Sequence, residues 1–370
     1  MVNFILNRKT WRDWIPRLGI FFGVVSILLK LVLDQLPEKA DNWYGALYAS
    51  IAPILRSMTY WFPFPLYYLF WAVLVGLILF SLIRLIKLMF KLPWSHLIKL
   101  AIVPSLGILG WILAGFYILW GYNYSRPSLS ERMRMSSMAV DSAIVWAEWS
   151  WVKTEINRYA DSTPIVAARV AEHFYNRDTE LELNHQCKKV LSEFAPRPKG
   201  DVKVRKLMPG TLLHFSTAGF YLPFTGEANL DAGLYALQWP YVAAHEIFHG
   251  LGITDEGDCN FLALLACLNS TDPVITYSAL EAYWKELAIL IKYRFRERYA
   301  QELNEFSPSF HRDLQTIFTY QDRYKDILPD VRHFIYSNYL RSQGVSAGLA
   351  SYNQVVALMH HYRNQPNLSK

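Results

Sequence analysis

Three long apolar runs near the N-terminus constrain the fold more than any other feature of this sequence. They occupy residues 18–33, 65–83 and 100–120. A backbone in hydrocarbon must satisfy its hydrogen bonds internally, so apolar runs of about 17–25 residues predict transmembrane helices. The chain is also 52% hydrophobic and only 18% charged, as is typical of a membrane protein with a globular part. We therefore expect a membrane domain, residues 1–122, with three transmembrane helices, and a second domain, residues 123–370.

The distribution of charge predicts the orientation of the membrane domain. Four Lys or Arg residues precede the first run and four more lie between the second and third, whereas the loop between the first and second has two, balanced by three acids. Positive loops stay in the cytoplasm, so the N-terminus is predicted to be cytoplasmic and residues 123–370 extracytoplasmic. The formal net charge is +6, and its excess lies in the membrane part. The sequence therefore predicts the lipid bilayer as a partner and no nucleic acid.

One motif carries the chemistry of the second domain. The chain reads His245-Glu246-Ile247-Phe248-His249, the H-E-x-x-H pattern of zinc hydrolases. Residues i and i+4 share a helical face, so both imidazoles can bind one Zn²⁺. Glu246 is rotated towards the next face, where it can act as the catalytic general base on a metal-bound water. Small and apolar neighbours predict a helix buried behind a cleft, rather than a surface helix with two exposed histidines.

The segment after the motif predicts a turn and a second helix. Gly250 and Gly252 allow the first helix to end in a sharp turn. Thr254 is then predicted to cap a second helix whose first turn is acidic. The helix also contains Cys259 and Cys267, which are eight residues apart and more typical of small buried side chains than of a disulfide or a cysteine zinc site.

Three acids at the start of that helix are candidates for the third zinc ligand. Asp255 would complete H-E-x-x-H-x-x-G-x-x-D, which resembles the metzincin pattern with Asp as the last ligand. Glu256 is followed at i+4 by Asn260, which resembles the gluzincin arrangement, where the residue at i+4 hydrogen-bonds a ligand histidine. We favour Glu256 as the metal ligand and Asn260 as its supporting partner, with Asp255 and Asp258 as alternative ligands.

A short aromatic segment before the motif predicts a strand beside the zinc helix. Residues 219–230 read GFYLPFTGEANL, which indicates a strand and a tight turn. An edge strand there would align a peptide substrate by main-chain pairing, with Glu227 and Asn229 facing the cleft. A structural turn with capping polar groups is the alternative. Tyr352 is a candidate for an oxyanion-stabilising hydroxyl. With helices elsewhere, the predicted fold is mainly α, with an extracytoplasmic α+β zincin-like domain that contains a small sheet.

The order of these features resembles a known family. Three spans, WGYNYSRPSL, GFYLPFTGEANL, HEIFHGLGITDEGDCNFLALLAC and YLRSQGVSAGLASY follow one another as in a family of bacterial membrane proteins described as domain of unknown function 3810. In that family the segment after the second histidine is similar to S-E-D-E-A-N-F. Glu256 and Asn260 match this pattern, Asp255 departs from it, and Asp258 stands where the family has Glu. The resemblance implies a zincin-like protein anchored in the bacterial inner membrane.

The sequence predicts a membrane-anchored zinc metallopeptidase that acts on a peptide or protein in the cell envelope. A non-catalytic, zinc-stabilised envelope scaffold or receptor domain is the alternative. The presence of Glu246 favours the enzyme, because a purely structural site needs no base. An intramembrane protease is disfavoured because the motif lies outside the three apolar runs.

Overall fold

The computed structural model describes residues 11–364, apart from 92, 94–95, 97, 134–139, 163–176, 195–198, 328 and 331–348. The described part is mainly helical, with one small sheet. Its helices are α1 (Trp11–Asp34), α2 (Pro37–Tyr60), α3 (Leu66–Met89), α4 (Val103–Leu119), α5 (Leu129–Arg132), α6 (Ser142–Asp161), α7 (Arg177–Phe194), α8 (Trp239–Gly250), α9 (Glu256–Leu268), α10 (Pro273–Arg294), α11 (Arg296–Leu303), α12 (Pro308–Gln321) and α13 (Leu349–Asn364). The strands are β1 (Lys203–Leu207), β2 (Gly219–Leu222) and β3 (Glu227–Asp231).

Three helices are long and apolar enough to cross a membrane. They span Trp14–Asp34, Leu66–Met89 and Lys99–Leu119, the last formed by a π-helical turn followed by α4. The three predicted apolar helices are therefore confirmed, with small changes at their ends. The first and the last approach each other through glycines: a Cβ added to Gly19 would lie 2.2 Å from the Gly107 carbonyl oxygen. Such close helix contact is typical of small residues in membrane helices.

Helix α2 differs from the sequence expectation, which places only a loop between the first two apolar runs. Its sequence is too polar for a transmembrane run, but every fourth residue is apolar and buried: Ala40, Tyr44, Tyr48 and Ala52 are at most 3% exposed. The hydroxyl of Tyr44 donates to the carbonyl of Ile118 at 2.9 Å. This four-residue periodicity is the signal that indicates a helix with one packed face.

The chain forms two compact units. One comprises Met1–Ala52, Pro65–Arg126 and Pro223–Thr225, and the other comprises Pro53–Phe64, Pro127–Leu222 and Gly226–Lys370. The second unit contains the sheet and the H-E-x-x-H motif. The sheet has the order β1-β3-β2, with β1 parallel and β2 antiparallel to β3. Strand β2 therefore lies at an edge of the sheet, as the sequence predicts.

The helices behind the motif form the core of the second unit. Within α8, Ala243, Ala244, Ile247 and Phe248 are fully buried. Helix α9 is buried along nearly its whole length, from Gly257 to Cys267. Gly250, at the end of α8, packs closely against Val202, the residue before β1. A Cβ added to Gly250 would lie 2.7 Å from a methyl of Val202. The prediction of a buried motif helix is confirmed.

Candidate functional site

Helix α8 presents the two histidines and ends directly after the second. Pro240 lies in its first turn, where the missing N–H is not needed. Past Gly250 the chain reverses through Gly252, whose φ of 95° lies in the left-handed region that side chains disfavour. The amide of Gly252 donates to the carbonyl of His249 at 3.0 Å, which closes the turn. This short turn brings the chain back to His249 at Ile253, three residues before α9 begins.

His245, His249 and Glu256 come together at this turn. The Oε2 atom of Glu256 lies 3.2 Å from Nε2 of His245 and 3.6 Å from Nε2 of His249. The three ligand atoms all lie within 4.8 Å of one another. Ligands about 2.1 Å from a tetrahedral zinc ion are about 3.4 Å apart, so this spacing fits one small cation. The side chain of Glu256 is 34% exposed, which leaves the group accessible from solvent.

The charge of the cluster also suits a cation. Burial alone would raise the pKa of Glu256, but the imidazoles of His249 and His245 hold that pKa well below its usual range. Burial would lower the pKa of His249, yet Cys259 and Glu256 raise that pKa well above its usual value. Burial raises the pKa of Cys259 itself to about 12, so its thiol is neutral near pH 7 and Glu256 supplies the negative charge. This arrangement favours a proton on His249 beside the Glu256 carboxylate, and a metal ion would take the place of that proton.

The ring of His249 is oriented by groups that the sequence did not single out. Its Nδ1 lies 2.9 Å from the carbonyl oxygen of Ile253 and 3.4 Å from Sγ of Cys259. A backbone carbonyl on Nδ1 fixes the tautomer that leaves Nε2 free to bind a metal. The carbonyl of Ile253 reaches this position only because the turn at Gly252 folds back over the end of α8.

The other two acids, Asp255 and Asp258, make structural hydrogen bonds at the start of α9. Asp255, not the predicted Thr254, is the N-cap, and its Oδ1 accepts from the amide of Asp258 at 2.9 Å. The same oxygen accepts from Nε2 of Gln354 at 2.9 Å. Asp258 is only 1% exposed and accepts from the amide of Leu129 at 2.5 Å and from Gln354 at 2.9 Å. Burial raises the pKa of Asp258 to about 8, and the nearby Asp255 adds to this rise. Among the described residues, the two alternative ligands thus have structural partners, and only Glu256 joins the histidines.

Glu246 lies in a tight, buried position beside the cluster. It is 5% exposed, and the backbone amide of Tyr221 in β2 donates to its carboxylate. A Cβ added to Gly219 would lie 2.7 Å from Oε1 of Glu246, so the strand can approach only because this residue is glycine. Burial raises the pKa of Glu246, while His245 and His249 oppose the rise. Its Oε2 has no hydrogen-bond partner among the described residues.

Asn260 does not take the predicted supporting role. Its side-chain nitrogen Nδ2 donates to Oε1 of Glu286 in α10 at 3.2 Å, and its backbone carbonyl oxygen accepts from the hydroxyl of Tyr241 at 3.3 Å. The i+4 spacing places Asn260 one turn after Glu256, but the packing of α9 against α10 turns its side chain to Glu286. The residues that contact Nδ1 of His249 are Ile253 and Cys259 instead.

The prediction that Glu227 and Asn229 face the cleft is wrong. Both are 0% exposed in β3, the central strand. Glu227 accepts from Nε of Arg205 at 2.6 Å, and Asn229 donates to the carbonyls of Phe220 and Glu227 at 3.2 and 3.1 Å. A central strand has neighbours on both sides, so these side chains bond to groups within the fold, although Oδ1 of Asn229 has no hydrogen-bond partner among the described residues. The side chain of the third substrate-binding candidate, Tyr352, lies outside the described residues.

The fold is that of a mainly helical protein with three helices that are apolar enough to cross a membrane. Its second unit carries an H-E-x-x-H helix with a His–His–Glu cluster. The chain belongs to the family described as "Protein of unknown function (DUF3810)", whose model matches residues 43–360. The resemblance noted in the sequence is thus confirmed at the level of this family. No curated protein and no solved structure matches the chain.

Proposed function

We propose that this protein is a membrane-anchored zinc metallopeptidase. His245, His249 and Glu256 hold the zinc ion, and Glu246 is the general base. The observation that carries the proposal is the convergence of three potential ligands from two helices at one point. Glu246 lies beside them and outside the cluster, where it could reach a water bound to zinc. Three ligands with an accessible side are typical of catalytic zinc, whereas structural zinc is enclosed by four.

Zinc bound at this position would polarise a scissile carbonyl and lower the pKa of its water to about 7. The protein's own contribution is proton transfer and alignment. Glu246 takes a proton from the attacking water and returns it to the leaving amine. The raised pKa of Glu246 helps the transfer of the proton to the leaving amine, because an acid whose pKa is nearer to neutral can both accept and donate a proton near pH 7. The β2 edge lies beside Glu246 and offers main-chain groups for an extended peptide.

Metal content tests the ligand set. The full chain purified in detergent should hold about one zinc per chain, and His245→Ala or His249→Ala should lose it. Glu256→Gln should weaken zinc by more than the roughly 10–100-fold that follows loss of a supporting partner. The measurement is zinc content by mass spectrometry, followed by competition with a chelator.

The matched control is Asp255→Asn. This change also neutralises an acid at the start of α9, but Asn caps helices as well as Asp does, so zinc affinity should stay close to that of the wild type. If Asp255→Asn loses zinc while Glu256→Gln keeps it, the metzincin-like spacing is right and our ligand assignment is wrong. Zinc retained at one per chain in both histidine variants would place the metal elsewhere.

The proposed enzyme faces the cell envelope, with its N-terminus in the cytoplasm. Lys and Arg residues lie before the first apolar helix and between the second and third, and we assign these ends of the helices to the cytoplasm. Alkaline phosphatase fused after Lys370 should therefore be active in bacterial cells, whereas the same enzyme fused after Lys91 should be inactive. Green fluorescent protein should give the opposite result at both positions. A phosphatase active after Lys91 and inactive after Lys370 would reverse the orientation and exclude envelope substrates.

A further inference from the structure

A cavity of about 420 Å³ lies beside the motif helix in the second unit. Its lining comes from the loop before β2, the first turns of α8, the middle of α10 and the end of α12. This volume is at the small end of the range for ligand pockets and is ample for one long side chain. Leu213, Leu234 and Ile289 supply apolar wall.

The cavity lies one helical turn away from the candidate catalytic group, Glu246. Two of its lining residues, Tyr241 and Val242, lie one helical turn before His245 and Glu246 on α8. A third, Ala218, directly precedes Gly219, where an added Cβ would lie 2.7 Å from Oε1 of Glu246. A peptide that lies along β2 with its scissile bond at Glu246 would therefore have a neighbouring side chain at this cavity.

Buried polar groups in the wall lack partners among the described residues. Gln238 is 8% exposed, and its Oε1 atom is buried without a hydrogen bond. Glu286 uses Oε1 to accept from Asn260, but its Oε2 is buried and also without a hydrogen bond. Glu281 is a third acid or amide in this wall and is 4% exposed. Buried acceptors of this kind are costly unless a ligand or water supplies donors.

The charge of the wall is acidic. Glu281 and Glu286 face one cation, Lys285, which is exposed to solvent. Burial raises the pKa of Glu281 and of Glu286 to about 7, and Lys285 lowers both. A cation in the cavity would stabilise the ionised carboxylates and supply the missing donors. A neutral polar side chain could supply donors but no positive charge, and an acidic side chain would be repelled.

We infer that this cavity is a specificity pocket that binds the basic side chain, Lys or Arg, of a peptide substrate next to the scissile bond. The inference rests on the proposed peptidase function. The alkyl part of such a side chain would contact the apolar wall, while its charged end would reach Glu281 and Glu286. The β2 edge would orient the backbone, and the pocket would select the side chain.

Binding of two small probes tests the pocket without any need for hydrolysis. n-Butylguanidinium and n-butylurea have nearly the same shape, but only the first is a cation. The full chain in detergent should bind n-butylguanidinium about tenfold or more tightly, which corresponds to one charge-assisted hydrogen bond. The double change Glu281→Gln and Glu286→Gln should remove this preference. Glu297→Gln, an exposed acid on the following helix, should leave it unchanged.

A separate digestion distinguishes the pocket from the peptidase function. The zinc-loaded wild type is incubated with a peptide library, and cleaved bonds are read by mass spectrometry. Lys or Arg should be enriched at one position beside the scissile bond, and the double variant should lose that enrichment. Equal binding of the two probes to the wild type overturns the pocket, whatever the enzyme cleaves. Selective probe binding without any cleavage overturns the peptidase proposal and, with it, the role of the pocket in substrate choice.

Discussion

Glu246→Gln is expected to keep its zinc and its fold while losing hydrolysis by about 10²- to 10⁴-fold, the range for removal of a general base. Gln has the shape of Glu and can still accept the hydrogen bond from the amide of Tyr221, but it cannot take a proton from water. The buried position beside Gly219 leaves no room for a larger change. The measurements are peptide cleavage and zinc content on the same purified sample.

Two outcomes distinguish an enzyme from a scaffold. An active wild type and an inactive, zinc-bound Glu246→Gln protein would establish the base. A variant that passes every peptidase and envelope assay that the wild type passes would instead favour the non-catalytic scaffold. Loss of zinc in this variant would contradict the proposed ligand set, because Glu246 lies outside the His–His–Glu cluster.

Glu227→Ala is expected to lower the free energy of unfolding by about 3–5 kcal/mol, the cost of removing one partner of a buried ion pair. The pair joins Nε of Arg205 to Oε1 of Glu227 at 2.6 Å, with side chains that are 8% and 0% exposed. Arg205 also donates to the carbonyl of Thr59 at 3.1 Å, so it links β1 to the end of α2 within the second unit. Without Glu227 its charge would remain buried and uncompensated. Unfolding of the full chain in detergent, followed by tryptophan fluorescence, measures the loss.

An exposed ion pair of the same length provides the control. Nζ of Lys188 lies 2.6 Å from Oδ1 of Asp201, with side chains that are 32% and 46% exposed. Asp201→Ala should cost no more than about 1 kcal/mol, because solvent screens such pairs. The double change Arg205→Met and Glu227→Leu should cost less than Glu227→Ala alone, since it leaves no charge behind. If Glu227→Ala lowers the free energy of unfolding no more than Asp201→Ala does, and alters peptide cleavage instead, then Glu227 belongs to the substrate site.

The candidate metal centre was largely predictable because its parts are local in sequence. The i,i+4 spacing of His245 and His249 places both on one helical face, and Glu246 on the next, in any helix. The glycines after the motif predict the turn, and Gly252 does adopt a left-handed conformation. The apolar helices were equally predictable, because hydrophobic length is read from one continuous stretch.

Side-chain partners distant in sequence were not predictable. The sequence favours Glu256 but leaves Asp255 and Asp258 open as ligands, and only the tertiary structure shows that Gln354 and the amide of Leu129 occupy their carboxylates. Asn260 turns to Glu286, twenty-six positions along the chain, rather than to a histidine one helix away. Each outcome depends on which helix packs against α9, and no local pattern encodes that choice.

The sequence by itself determined three apolar helices, a buried H-E-x-x-H helix, a sharp glycine turn and a strand before the motif. The tertiary structure alone decided which acid faces the histidines, that Glu227 is held by Arg205 inside the sheet, and that a cavity with two acids in its wall lies one helical turn before Glu246 on α8. The physical reason is the range of the interactions. Helical periodicity and hydrophobic length act over neighbouring residues, whereas ion pairs, caps and cavities form only when distant segments meet.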